Sequence, residues 1–227
     1  MARKSAKARR EELAAADPVM ADLTRRLGPL DIATRLRRRK EERPADAFGA
    51  LLRPLVGQQI STKAARAIYL RMLGLFDGPP TPEAMLALTE EDLRGIGFSR
   101  RKVEYVHDLA RHALDGSLQL DHLGELDDEE VIAAISAVRG FGRWTAEIFL
   151  IMHLGRSDVV VSGDLGIRKA VMVEYGLGSM PTPREVEARA EPWRPNRSLA
   201  CLYLWESLHA VPDQPRNQLL GRGAPEK

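Results

Sequence analysis

Cysteine is nearly absent: Cys201 is the only one in 227 residues. It has no partner for a disulfide within the chain, and one thiolate falls short of the several that a structural zinc site or an iron–sulfur cluster takes. The chain is therefore expected to fold without crosslinks in a reducing compartment. Long apolar runs are missing too, none approaching the roughly 20 residues that span a bilayer. The opening stretch, Met1 to Arg10, carries five basic residues but no apolar core of a secretory signal, so a soluble cytoplasmic protein is expected. Alternating strand patterns are equally scarce. The one strand-like run is Asp158 to Ser162, whose three valines are too few to anchor a sheet, and an extended link is expected there.

What is present reads as helix. With 44% hydrophobic residues, the chain is long enough for one sizeable globular unit or two small ones. Apolar residues recur at helical spacing, as in Phe48, Leu51, Leu52, Leu55 and Val56, then Ala64, Ala67, Ile68 and Leu70. Thr81-Pro82 and Thr182-Pro183 each set a capping hydroxyl before a proline at the first helical position, and Glu185 completes a capping box with Thr182. Asp127 with Glu130 offers a similar start for a segment running to Val138. The expected fold class is all-α.

Charge is unevenly spread. The net charge of +2 divides into +6 over residues 1–43 and −4 over the remainder. The division expected is a basic N-terminal arm with the first helices over 1–43, a helical core over 44–212 and a tail over 213–227. Such a front attracts an anionic polymer through counterion release, and it equally reads as a solvated, partly disordered arm.

Two glycine hairpins stand out, Arg94-Gly95-Ile96-Gly97 and Arg139-Gly140-Phe141-Gly142, each following a segment opened by acidic residues. Glycine lets backbone N–H groups approach an oxygen with no Cβ in the way, at the positive end of the next helix, which suits a phosphate. A helix end and tight turn explain the same pattern without any ligand. Asp164 lies 22 positions beyond Gly142, after the valine run and before a helical-looking stretch from Leu165 to Tyr175. Capping that helix accounts for it; so does a carboxylate facing a cleft, where it can stabilise positive charge on a sugar as a base departs.

Four separated blocks carry a more specific message: Leu55 to Ala65 with Gln58 and Gln59, the hairpin Arg139 to Thr145, Asp158 to Arg168, and Trp193 to Trp205. In order and spacing they resemble the AlkA-type 3-methyladenine DNA glycosylases of the helix-hairpin-helix superfamily, over roughly residues 45–210. The resemblance implies two helical lobes with a DNA-binding cleft between them, and Asp164 as the catalytic aspartate. It implies that the hairpin of Arg139, Gly140, Phe141, Gly142, Arg143 and Thr145, with Lys63, holds DNA phosphate. It implies that Gln59, or less readily Gln58, wedges into the duplex, and that Trp205 and Trp144 line the base pocket, where Ile148 and Leu165 stand in place of aromatic rings found in relatives. Further basic candidates for phosphate are Arg66, Lys102 and Arg168, each equally at home as a solvated surface charge.

The lyase branch of this superfamily carries a lysine where this chain has Trp144, and no lysine lies between Arg139 and Asp164. Without an amine to form a Schiff base, the expectation is a monofunctional enzyme that leaves an abasic site. Stacking by Trp205 and Trp144 favours an electron-poor alkylated purine. No cofactor is required, although hairpin carbonyls near Val138 and Gly140 offer room for a monovalent cation. The partner is damaged double-stranded DNA and the default state a monomer. A glycosylase for oxidised or deaminated bases, and a non-catalytic DNA-binding module, are the competing readings.

Overall fold

The computed structural model describes residues 4–30 and 46–210. The tail expected over 213–227 and the part of the basic front beyond residue 30 lie outside the described residues. Within them are helices and no strand: α1 (Ala6–Ala16), α2 (Pro18–Leu27), α3 (Ala47–Gly57), α4 (Thr62–Leu73), α5 (Pro82–Ala87), α6 (Glu90–Gly95), α7 (Arg100–Leu114), α8 (Asp128–Ser136), α9 (Arg143–Met152), α10 (Leu165–Glu174), α11 (Pro183–Ala190) and α12 (Arg197–Ala210), with short 3-10 turns at Leu120–His122 and Glu191–Trp193. None of these helices is long and apolar enough to cross a membrane.

Local capping chemistry sets most of the starts. Thr81 accepts from the amide of Ala84, and Thr89 with Asp92, Asp127 with Glu130 and Thr182 with Glu185 form complete capping boxes. Each leaves two of the orphan amides at its helix end satisfied. The echo hairpin Arg94 to Gly97 is the turn between α6 and α7; Gly97 takes φ +108°, and its amide closes on the Arg94 carbonyl.

Helix contacts fall into two sets. In the first lobe α3 packs on α4, α7 and α9, α7 covers α5 and α6, and α8 lies along α9. In the second, α12 is the hub, contacting α2, α10 and α1. Buried Leu51, Leu52, Leu55, Val106, Phe149 and Leu150 fill the first lobe, and Ala170, Val171, Tyr203 and Leu204 the second. Each leucine, valine or phenylalanine among them contributes roughly 1.5–3 kcal/mol when withdrawn from water.

Within residues 4–30 the front of the chain is helical and packed. Leu13, Met20 and Leu23 of α1 and α2 are buried against the second lobe, and basic side chains there are answered locally, Lys4 by Glu12 and Arg26 by Asp22 and Glu174. Asp17 is the joint. Its Oδ1 caps α2 through the amides of Val19 and Met20, while Oδ2 accepts from the Tyr175 hydroxyl at 2.7 Å and the Trp193 indole at 3.1 Å. Burial raises its carboxyl, but these four donors outweigh burial and hold it below the ordinary carboxylate range.

Candidate active site

Asp164 owes its place to a stretch of chain pinned along the start of α12. Residues 158–162 run extended, as the valine pattern suggested, with Val159 and Val161 buried. The Val159 amide donates to Ser198 Oγ, Ser198 Oγ donates back to the Val159 carbonyl, and Arg197 clasps Asp158 through Nε at 2.8 Å. The link therefore delivers Asp164 to the head of α10, where its Oδ1 caps the helix by accepting from the Ile167 amide at 2.8 Å. The same carboxylate, half-buried, does more than cap.

Two indoles converge on it. Trp144 Nε1 donates to Oδ2 at 2.7 Å and Trp205 Nε1 donates to Oδ1 at 2.9 Å. Trp144 lies in the first turn of α9 and Trp205 in α12, so one carboxylate is held by a donor from each lobe. With three donors on two oxygens, its orientation is fixed. Gly166 makes the fit possible: a Cβ there would sit 2.9 Å from Asp164 Oδ1 and 3.4 Å from Trp205 Cδ1. Neither the indole clamp nor the need for Gly166 is visible in the sequence. Ile148 is half-buried beside Trp144, and Leu165 is 66% exposed next to the carboxylate.

The hairpin stands one helical turn away from this clamp. Gly140 takes φ +83°, and a Cβ on it would lie 2.2 Å from Cδ2 of Tyr105, so both backbone and neighbour demand glycine. Several of its amides are already committed: Arg139 N donates to Asp108 Oδ2, Phe141 N to the Val138 carbonyl and Thr145 N to the Gly142 carbonyl. Phe141 is buried, and Thr145 is 1% exposed, which withdraws its hydroxyl and its amide from the phosphate contacts expected of it. Gly142 caps α9 without any side-chain hydrogen bond, in contrast to the Ser, Thr or Asp caps of α1 to α8, α10 and α11. The Arg143 guanidinium grips Glu129 in a bidentate pair, with 2.7 Å the shortest approach. Arg139 pairs with Glu104 at 3.1 Å. Both arginines are solvent-facing and lie within the screening of water.

The two glutamines separate cleanly. Gln58 Nε2 donates to the Gly140 carbonyl at 3.1 Å, tying its loop to the hairpin, whereas Gln59 is exposed at the tip. Gln58 at φ −57°, ψ 131° followed by Gln59 at φ 60° match the central residues of a type II turn in these three angles. Gln59 is the one non-glycine residue with positive φ among the described residues, a conformation that costs such a residue about 1–2 kcal/mol. Lys102 reaches this turn rather than open solvent, its Nζ on the carbonyls of Val56 at 2.6 Å and Gln58 at 3.0 Å, and burial pulls its ammonium down. Arg168 likewise turns inward, donating to the Pro181 carbonyl at 2.7 Å. Lys63 and Arg66 are exposed on α4.

Behind the clamp sits a buried acid that the sequence did not single out. Glu147, on α9 one turn after Trp144, is 7% exposed; burial pushes its carboxyl up to about 7, Arg143 opposes the rise, and the charges of Glu187, Glu129 and Asp164 add to it. Cys201 is fully buried with its thiol pushed up to about 12, chiefly by burial, so it is an inert packing residue. The carbonyls of Val138 and Gly140 accept from Phe141 N and Gln58 Nε2 respectively. No cluster of metal-binding side chains occurs among the described residues.

Comparison with known proteins places these features in context. Residues 52–195 match the family described as HhH-GPD superfamily base excision DNA repair protein. The chain is 33% identical over 165 residues to DNA-3-methyladenine glycosylase 1 of Schizosaccharomyces pombe, covering 71% of this chain and 72% of that one. It is 29% identical over 179 residues to DNA-3-methyladenine glycosylase 2 of Escherichia coli, covering 74% of this chain and 60% of that one. A solved structure of the Schizosaccharomyces pombe 3-methyladenine DNA glycosylase in complex with abasic DNA superposes with a TM-score of 0.79 at 28% identity, over 89% of this chain and 97% of that one.

Proposed function

We propose, for a chain that belongs to the HhH-GPD superfamily of base excision DNA repair proteins, that it hydrolyses the N-glycosidic bond of alkylated purines and leaves an abasic site. The observation that carries this reading is the reach of Trp144. Its backbone belongs to the first turn of the helix that the hairpin opens, and its indole ends on Asp164, so an amide cradle and an oriented carboxylate lie within one side chain of each other. A DNA phosphate seated on the hairpin brings the neighbouring sugar to that carboxylate.

In this scheme the target nucleotide leaves the stack, a step that costs a few kcal/mol and is cheapest for damaged pairs. Gln59, exposed at its turn, enters the vacated space, and Gln58, engaged with Gly140, does not. The amides of Gly140, Gly142 and Arg143 hold the phosphate. Leu165, Ile148 and the faces of Trp144 and Trp205 border the base, with the indole N–H groups spent on Asp164. Asp164 stabilises the oxocarbenium-like sugar and orients a water, its rigid placement supplying the preorganisation on which such stabilisation depends. The slot that would need an amine for strand cleavage holds Trp144, so the product strand stays intact. The relatives named for 3-methyladenine support the choice of lesion class. The protein works on double-stranded DNA as a monomer.

The test is release of bases from DNA treated with a methylating agent. Wild-type protein should liberate methylated purines, and Asp164→Asn should release none while still binding the duplex. Strand breaks should appear only after alkali. Release by Asp164→Asn at the wild-type rate removes the aspartate from the mechanism.

A further inference from the structure

One helix holds both DNA-facing loops. Along α7, Lys102, Tyr105 and Asp108 recur every third residue and so share a face. Lys102 binds the carbonyls of Val56 and Gln58, the ring of Tyr105 lies where a Cβ of Gly140 would be, and Asp108 accepts the amide of Arg139. Gln58 closes the circuit by donating to the Gly140 carbonyl.

We propose that Lys102 is a positioning residue for base extrusion: its grip on the Gln58 carbonyl selects the turn that projects Gln59 into the duplex. The reasoning rests on how turns interconvert. A type II turn becomes a type I turn by rotating the peptide between its two central residues, here the Gln58–Gln59 peptide, through about half a revolution. Type I is the commoner form and places its second central residue at negative φ, where glutamine is unstrained. Left alone, a turn with glutamine at that position favours type I. Rotating the peptide swings the Gln58 carbonyl away from Lys102, and the ammonium forfeits one of its two acceptors, 3.0 Å distant, while half-buried. An ammonium out of water needs every acceptor it has. Lys102 therefore holds the strained form, and the strained form aims Gln59. A lysine that served only to cap α3 would be satisfied by the Val56 carbonyl and would leave the turn free to relax.

This inference rests on the glycosylase reading, and the experiment separates the two. A single 7-methylguanine is placed either paired in a duplex or unpaired in a bubble, where extrusion costs little and a wedge gains little. Release is measured in single turnover at saturating protein. With Lys102→Met, the rate on the paired lesion should fall about tenfold, and the rate on the bubble should change less than about twofold, by the cost of extrusion alone. Gln59→Ala should give the same pattern, and the double variant should be no slower than Gln59→Ala. Lys102→Arg, which keeps donors within reach of the turn, should recover most of the loss. Should Lys102→Met not fold, as judged by circular dichroism, Lys102→Gln, polar but too short to reach the turn, takes its place on the same two substrates and should show the context-dependent loss. Equal losses on both substrates, or losses that add in the double variant, overturn the proposal. A wild-type chain that releases no base from either substrate or from DNA treated with a methylating agent overturns the glycosylase reading itself.

Discussion

An alanine at position 166 would add a single methyl group in the second residue of α10. Its Cβ would stand 2.9 Å from Asp164 Oδ1 and 3.4 Å from Trp205 Cδ1, whereas carbon and oxygen ordinarily approach no closer than about 3.3–3.6 Å. The shortfall is roughly half an ångström. The carboxylate cannot slide to absorb it, because Oδ1 is held by the Ile167 amide and the Trp205 indole and Oδ2 by the Trp144 indole. One hydrogen bond to a charged group must stretch or break, a loss of about 1.5–3 kcal/mol if complete. Meanwhile the helix itself gains, since alanine is favoured over glycine in a helical position by about 1 kcal/mol. The helix gain offsets only part of that loss, so the rate should suffer far more than the stability. A catalytic group displaced by a fraction of an ångström should lose about ten- to hundredfold in rate, so single-turnover release of methylated purines by Gly166→Ala should fall by that factor. Its Tm should fall by several degrees at most, as a net loss of up to about 2 kcal/mol implies, and its affinity for abasic-site DNA should persist. A wild-type rate in a well-folded Gly166→Ala protein would refute the claim that the clamp orients Asp164 for catalysis. A rate loss accompanied by loss of the folded state at the assay temperature would refute the separation of the two effects.

Three further outcomes are expected. Glu147 is held near 7 when folded against about 4.5 when unfolded, so its contribution to stability is fully present below the lower value and drains away as pH rises to the upper one. Glu147→Gln should flatten that slope and, above pH 7, exceed the wild type by about 1–3 kcal/mol in urea unfolding; a variant no more stable than wild type at pH 8 contradicts the assignment. Asp17→Ala strips four donors of their acceptor and should cost about 3 kcal/mol, with wild-type stability from this group present at neutral pH and lost only as the medium is acidified below its unfolded value of 3.8; a change under about 1 kcal/mol, the worth of the cap alone, would deny the joint between α2 and the second lobe. Gly140→Ala should abolish tight duplex binding, and adding Tyr105→Ala should restore part of it by clearing the space the new methyl needs; no recovery would show that backbone conformation alone imposes the glycine.

What the sequence disclosed was whatever is settled within a few residues. Caps at Thr81, Asp127 and Thr182, the extended valine link and the hairpin glycines all declare themselves through short-range hydrogen bonds or the lack of a Cβ. Asp164, which the resemblance implies as the catalytic aspartate, was legible as a helix cap. The partners that make it a site were not, because Trp144 and Trp205 stand 20 and 41 residues away and only the fold brings their indoles to it. The same distance hid Asp108 from Arg139 and Lys102 from Gln58. At the front of the chain, charge and helical pattern in residues 4–30 do not say that α12 is what buries one face of them. Gln58 and Gln59 were indistinguishable as neighbours of equal polarity until the turn gave one an acceptor and the other the solvent.

Because the indoles that clasp Asp164 are rooted in opposite halves of the molecule, any breathing between those halves takes a donor from the carboxylate before either half melts. Heat should therefore silence the enzyme at a temperature where its helices are still intact. A loosened copy keeps its hairpin, and with it a hold on the duplex, yet makes no abasic sites.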